Sequence, residues 1–158
     1  MKIALREDLS PDIDFYYHQQ FKIYHKPYLI WDWDTWRMTI NTCSVYHMEV
    51  DEKWVGDVIL ENRKKNTTYI VDFSILPEYQ GKGIGKAVLE QVKKMGKDLT
   101  GITRGETLDF FLKSGFVLKR TLRNYYQAGA DGYYITFSGK TVTILSHEKS
   151  EGGVPSFS

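Results

Sequence analysis

With Cys43 as its only cysteine, the chain can form no internal disulfide and no cysteine-built metal cluster, so its stability has to come from packing. Cys43 is expected to fill core, and a single thiol suits a reducing compartment, so the reading is cytoplasmic. No stretch approaches the roughly 18 apolar residues of a membrane-spanning helix, and Met1 to Glu7 carries no long apolar run, so no membrane association is expected. Charge of one sign is scarce as well. The 21 basic and 20 acidic residues leave a formal net charge of +1, which provides no long-range field to draw in nucleic acid. His18, His25, His47 and His147 lack metal-ligand spacing, and none is assigned to metal. There is no internal repeat. What the chain does have is 42% hydrophobic and 15% aromatic content in 158 residues, ample for one core. A single domain is expected over 1–146, with a flexible glycine- and proline-containing tail over 147–158.

Hydrophobic periodicity predicts an opening strand over 2–5, then a helix over 12–24 capped within Ser10-Pro11-Asp12, with the proline in its first turn. A second helix starts near Asp34. Strands follow over 43–50, 54–60 and 67–76, the first two joined by the Asp51-Glu52-Lys53 turn. A helix carrying Val88, Leu89, Val92 and Met95 ends at Gly96. A short strand over 99–103, a helix over 106–114 and two strands over 116–126 and 132–137 complete the pattern, with a further strand possible over 140–145. The sheet is expected to be mixed and mostly antiparallel.

The segment Ile75-Leu76-Pro77-Glu78-Tyr79-Gln80-Gly81-Lys82-Gly83-Ile84-Gly85-Lys86-Ala87 joins an apolar strand to a helix through a glycine-rich turn. Glycines let backbone approach a ligand, and the free N–H groups of a helix start favour an anion. A P-loop would need glycine at Gln80 and Ser or Thr at Ala87. The dinucleotide fingerprint would need glycine at Lys86 or Val88. The spacing that fits is Q-x-x-G-x-G, filled by Gln80, Gly83 and Gly85, and it resembles the acetyl-CoA loop of the GNAT superfamily of N-acetyltransferases. A second segment, Leu108-Asp109-Phe110-Phe111-Leu112-Lys113-Ser114-Gly115-Phe116, is similar to the A-x-x-F-Y-x-K-x-G-F run of that family. The resemblance implies an α/β (α+β) fold with about seven strands flanked by about four helices. It implies acetyl-CoA as co-substrate, without a metal. The cofactor would be held by Phe73, Ser74, Ile75, Gln80, Gly81, Lys82, Gly83, Ile84, Gly85, Lys86, Phe110 and Lys113. It also implies that the fourth and fifth strands splay apart at a bulge, freeing N–H groups beside the thioester.

Two family features are missing. The usual tyrosine proton donor is Phe111 here, where core packing is the favoured reading, and the usual asparagine is Arg104. Tyr125 and Tyr126 are substitutes for the donor, in an Arg123-Asn124-Tyr125-Tyr126 run similar to one in ribosomal-protein alanine acetyltransferases of the same superfamily. Adjacent strand residues point to opposite faces, so only one of the two is expected to line a cleft. An attacking amine must lose its proton near neutral pH, which calls for a base. Asp72 is out of place in the apolar run Tyr69 to Ile75, and the resemblance places carboxylates at or beside this position in the acceptor cleft. Its alternative is a hydrogen-bonded strand residue.

The aromatic window around Tyr28, Trp31, Trp33 and Trp36 is a candidate acceptor wall, or else a plug between helices and sheet. Asp32 and Asp34 beside it would attract an amine. The function read from the sequence is direct acetyl transfer from acetyl-CoA to the primary amine of a small molecule or peptide, by a monomer or homodimer. The alternative is a non-catalytic acetyl-CoA or CoA sensor of the same fold. Transfer of longer acyl chains would need a wider pocket.

Overall fold

The structure, a computed structural model, describes residues 1–140. The expected strand over 140–145 falls, but for Lys140, outside the described residues, as does the tail over 147–158. The elements run β1 (Ile3–Glu7), α1 (Ile13–Ile23), a 3-10 turn (Pro27–Leu29), α2 (Trp33–Thr42), β2 (Ser44–Val50), β3 (Lys53–Arg63) and β4 (Thr67–Ile75). A second 3-10 turn (Pro77–Tyr79) leads to α3 (Ile84–Lys93), β5 (Asp98–Arg104), α4 (Gly105–Lys113), β6 (Val117–Gln127) and β7 (Ala130–Phe137). Seven strands form one mixed sheet in the order β1-β2-β3-β4-β5-β7-β6, in which β4 and β5 are parallel and every other pair is antiparallel.

Local chemistry sets the boundaries. Asp12 caps α1 by accepting from the Asp14 N–H at 3.0 Å, so Pro11 lies before the helix rather than in its first turn, as the sequence reading had it. Asp32 caps α2 in the same way, accepting from the Thr35 N–H at 2.7 Å. The β2–β3 hairpin closes on Asp51 and Glu52, both with positive φ, as a two-residue loop that matches strand twist requires.

Alternation along β3 divides the core. Val58 and Leu60 face α3 and α4 with Val88, Leu89, Val92, Phe111 and Ile135, while Ile59 faces α1 and α2 with Tyr16, Trp36, Ile40 and Val45. On α3, Val88, Leu89 and Val92 are wholly buried, each contributing about 1.5–3 kcal/mol, which fixes the start of that helix against the sheet. Cys43 packs partly buried against the smaller cluster, as core filler should. No helix among the described residues is long and apolar enough to cross a membrane.

Candidate active site

Strands β4 and β5 pair only over Thr67–Ile70 and Asp98–Gly101. Beyond that point β5 stays with β7 and β4 stays with β3, so the sheet opens. The opening starts at an irregularity in β4: Ile59 faces Asp72 and Leu60 faces Ile70, which leaves Val71 as the extra, bulged residue. Such a bulge bends its strand away from the neighbour and frees backbone groups on that edge. A cavity of about 480 Å³ fills the gap, within the range of small-molecule sites. Its walls come from α1 and its end (Gln20, Tyr24), Tyr28, Trp31, the bulged part of β4, the end of β5 (Thr103, Arg104), α4 (Phe110, Phe111) and β6 (Tyr125, Tyr126).

Asp72 is the carboxylate of this cavity. It is hydrogen-bonded as well as placed in the cleft: Tyr24 Oη donates to Oδ1 at 2.7 Å and Ser74 Oγ to Oδ2 at 3.0 Å. Burial pushes its pKa up, opposed by those two donors, the Phe73 N–H and the nearby Arg104. The Tyr24 phenol in turn is pushed far up by burial and by Asp72, so it remains a proton-bearing donor.

From Asp72 the chain runs through Phe73, Ser74 and Ile75 directly into the glycine turn. Gly81 and Gly83 have φ of 74° and 80°, and a Cβ at either would meet nothing within 4 Å. Gly83 occupies the cap position of α3, and no side chain caps that helix. The first intrahelical bond is Ala87 N–H to Gly83 O, so the N–H groups of Ile84, Gly85 and Lys86 are left to an outside acceptor. This cradle, shaped by left-handed glycines and backed by a rigid helix, fits the diphosphate of a coenzyme A.

The remaining expected cofactor residues divide by placement. Lys82 and Lys86 are exposed beside the turn, and Lys82 Nζ sits 5.6 Å from the Tyr79 ring. The Gln80 side-chain amide donates to Ile75 O at 2.9 Å, tying the turn to the strand end. Ile84 is core, so only its N–H is on offer. Gly85 is where helix meets strand: a Cβ there would sit 3.1 Å from Ile75 Cδ1 and 3.4 Å from the Phe110 ring. Ser74 is buried and turned to Asp72, so its hydroxyl orients the carboxylate. Phe110 lies against Phe73 in the cavity wall, and Lys113 is exposed, paired with Asp109 at 2.8 Å. Phe111 packs among Phe73, Phe110 and Phe116, the core role favoured for it.

Tyr125 and Tyr126 do not point to opposite faces. Both line the cavity, in edge-on contact with centroids 4.9 Å apart. The cause is Asn124, whose φ of 54° breaks the β6 alternation where regular pairing with β7 lapses between Leu122 and Gln127. Asn124 is held there by its N–H to Asp131 Oδ1 at 2.9 Å and by its Oδ1, which accepts from Gly129 N–H at 2.8 Å. Tyr126 is the more enclosed of the two, its phenol raised far above the ordinary range by burial, and its ring lies 6.1 Å from that of Tyr28.

Tyr28, Trp31 and Trp36 line the cavity, Trp36 buried with its ring 4.7 Å from that of Trp31. Trp33 does not: as the first residue of α2 it is 41% exposed and donates from Nε1 to Asp14 Oδ1 at 2.8 Å. Asp32 and Asp34 are likewise occupied, the first as a helix cap and the second beside Arg37 at 3.5 Å, and neither reaches the cavity. The sequence reading missed Tyr24 and passed over Arg104 as a departure from the family pattern. Tyr24 ends α1, 48 residues from its partner Asp72, so no local spacing marks it. Arg104 was visible as a cation where the family carries a neutral amide. Among the described residues no group of three or more His, Cys, Asp or Glu side chains could hold a metal ion.

The fold has close counterparts. The ribosomal-protein-S18-alanine N-acetyltransferase from Escherichia coli superposes with a TM-score of 0.72 at 18% identity, over 86% of this chain and 93% of that one. Arabidopsis thaliana Naa50, in complex with the bisubstrate analogue CoA-Ac-MVNAL, gives 0.69 at 18% identity over 87% and 99%. A GNAT family acetyltransferase from Elizabethkingia anophelis with acetyl-CoA bound gives 0.65 at 16% identity over 86% and 97%. Curated protein sequences give no match. The model of the acetyltransferase (GNAT) family, however, matches residues 4–116, from β1 through the glycine turn to the end of α4, and the chain belongs to that family.

Proposed function

We propose that the protein transfers an acetyl group from acetyl-CoA directly to a primary amine held in the β4–β5 cavity. One observation carries the reading: a buried carboxyl with a raised pKa, Asp72, stands in the gap on the same strand that leads into the anion-accepting turn. Acetyl-CoA supplies an activated acyl group and a thiolate leaving group. Asp72 takes the proton of the attacking amine, oriented by the hydroxyls of Tyr24 and Ser74. The unpaired β4 edge at Phe73 to Ile75 offers N–H groups to the acyl carbonyl and the amide arm. Tyr126 returns a proton to the leaving sulfur. Gly81, Gly83 and the N–H groups starting α3 hold the diphosphate, with Lys82 and Lys86 adding positive charge at its edge. The partly buried Cys43 thiol is pushed up by desolvation and lies outside the cavity, so a covalent thiol route has no candidate nucleophile there.

Calorimetric titration with acetyl-CoA, followed by thiol-release assays against peptides, polyamines and small amines, tests the proposal. Binding with turnover supports it. Tight binding that survives every amine class without thiol release favours the sensor reading, which the core position of Phe111 motivates.

A further inference from the structure

We infer that the acceptor is a small zwitterion, an amine that also carries a carboxylate or comparable anionic group, and that Arg104 is the residue that selects it. The inference rests on the transferase reading. Arg104 ends β5 at the mouth of the gap and lines the cavity, with its side chain 27% exposed. Its Nε lies 3.3 Å from Glu106 Oε2, and among the described residues no hydrogen bond engages its terminal nitrogens. Those two nitrogens form the planar fork that recognises a carboxylate or phosphate.

Charge balance points the same way. Glu106 also binds Lys26 Nζ at 2.9 Å, so two cations share one carboxylate at this rim and a net positive charge is left over. Inside, Asp72 and Arg104 are the formally charged residues that line the cavity among the described residues. A simple amine entering this space meets one carboxyl and one repelling guanidinium. A polyamine fares worse, because among the described residues the walls hold no second carboxylate for its further charges. A molecule bearing both signs satisfies both groups.

The spacing is that of a small molecule. Both charges neighbour Tyr24: its hydroxyl is on Asp72 at 2.7 Å, and the Arg104 guanidinium is 5.5 Å from its ring centroid. The amine-holding and anion-holding groups thus flank one side chain, a span that a small molecule can bridge. Tyr28, Trp31 and Tyr126 supply an aromatic wall for the rest of the ligand, which suits an amino acid with an apolar or aromatic side chain.

The test uses matched pairs: phenylalanine and phenethylamine, leucine and isoamylamine, the aminophosphonate analogue of phenylalanine, and spermidine. Each is titrated into the CoA-saturated protein by calorimetry and assayed in parallel for thiol release with acetyl-CoA. Zwitterions are expected to bind at least about tenfold more tightly than their decarboxylated partners. Arg104→Gln should erase that difference and Arg104→Lys keep part of it, with CoA affinity and melting temperature unchanged. A phosphonate that outbinds its carboxylate partner would assign the subsite to phosphorylated amines, still zwitterions. Equal or tighter binding of the plain amines or spermidine, or no binding by either member of any pair, overturns the inference. So does an Arg104→Gln protein that loses both members alike. Zwitterion binding lost in Arg104→Gln but without turnover leaves the subsite standing and removes the transferase reading instead.

Discussion

At the scale of single residues, the proposed acetyl transfer rests on a carboxyl, Asp72, whose pKa burial raises. Asp72 must be ionised to accept a proton, so kcat/KM should rise with pH through its pKa, which burial places above the ordinary carboxylate range of about 3.9. Asp72→Asn is expected to lower kcat/KM by about 10²–10⁴-fold, abolish that ascending limb and leave acetyl-CoA affinity intact. Full activity of the variant across the pH range would falsify the base assignment. Asp72 was legible in sequence because an acid in an otherwise apolar strand is conspicuous. Its orienting partner Tyr24 was not, because the contact spans 48 residues and depends on where α1 ends against the sheet. Trp33 shows the opposite limit. Composition put it in the aromatic window, but the Asp32 cap sets the rotation of α2 and turns it outward to Asp14.

At the scale of elements, the glycine turn and α3 were readable because each part has a local cause, yet its two later glycines turn out to do different work. Gly83 needs its positive φ and faces open space, whereas Gly85 lets α3 pack on Ile75 and Phe110. Gly83→Val should therefore weaken acetyl-CoA binding by about tenfold or more at a stability cost of about 1–2 kcal/mol for the left-handed conformation. Gly85→Val should show mainly as a lowered melting temperature, and calorimetry paired with thermal unfolding separates the two. Unchanged acetyl-CoA affinity in Gly83→Val would mean that the turn does not contact the ligand. The β6 kink is not legible in the sequence, because the alternation assumed for a strand over 116–126 makes no allowance for a left-handed residue. Asn124 is one of the few residue types that tolerates it. Asn124→Gly keeps the conformation and loses only the bond to Gly129, while Asn124→Ala loses both, at about 1–2 kcal/mol. Alanine should then depress kcat more than glycine, by re-aiming Tyr125 and Tyr126. A reversed order in steady-state assays would detach those tyrosines from catalysis.

At the scale of the whole molecule, the order of helices and strands followed from periodicity, but the gap that makes the site did not, because it arises from pairings between strands far apart in sequence. The same sheet face hides a second acid that periodicity passed over within an apolar strand. Asp57 is 3% exposed in β3, accepts from Trp54 Nε1 at 2.7 Å and is flanked by the charges of Asp72 and Asp8, with His47 opposite it on β2 and Tyr16 of α1 nearby. Burial raises its pKa well above the usual range, the Trp54 donor opposing. A carboxyl raised on folding keeps its proton in the native state after the unfolded chain has released it. Its contribution is therefore fully present below about pH 4 and is lost as pH rises through the folded pKa. Asp72 shifts in the same direction and adds to the trend. Asp57→Asn keeps an oxygen acceptor for Trp54 and has no proton to lose, so its melting temperature should exceed that of the wild type by a margin that opens above about pH 4 and widens until the folded-state pKa is passed. For a chain of this size each 1 kcal/mol appears as roughly 2–4 °C, which calorimetric scans resolve. Wild-type and variant curves that run parallel across the range would mean that Asp57 ionises in the folded state as freely as in the unfolded one, contrary to its burial.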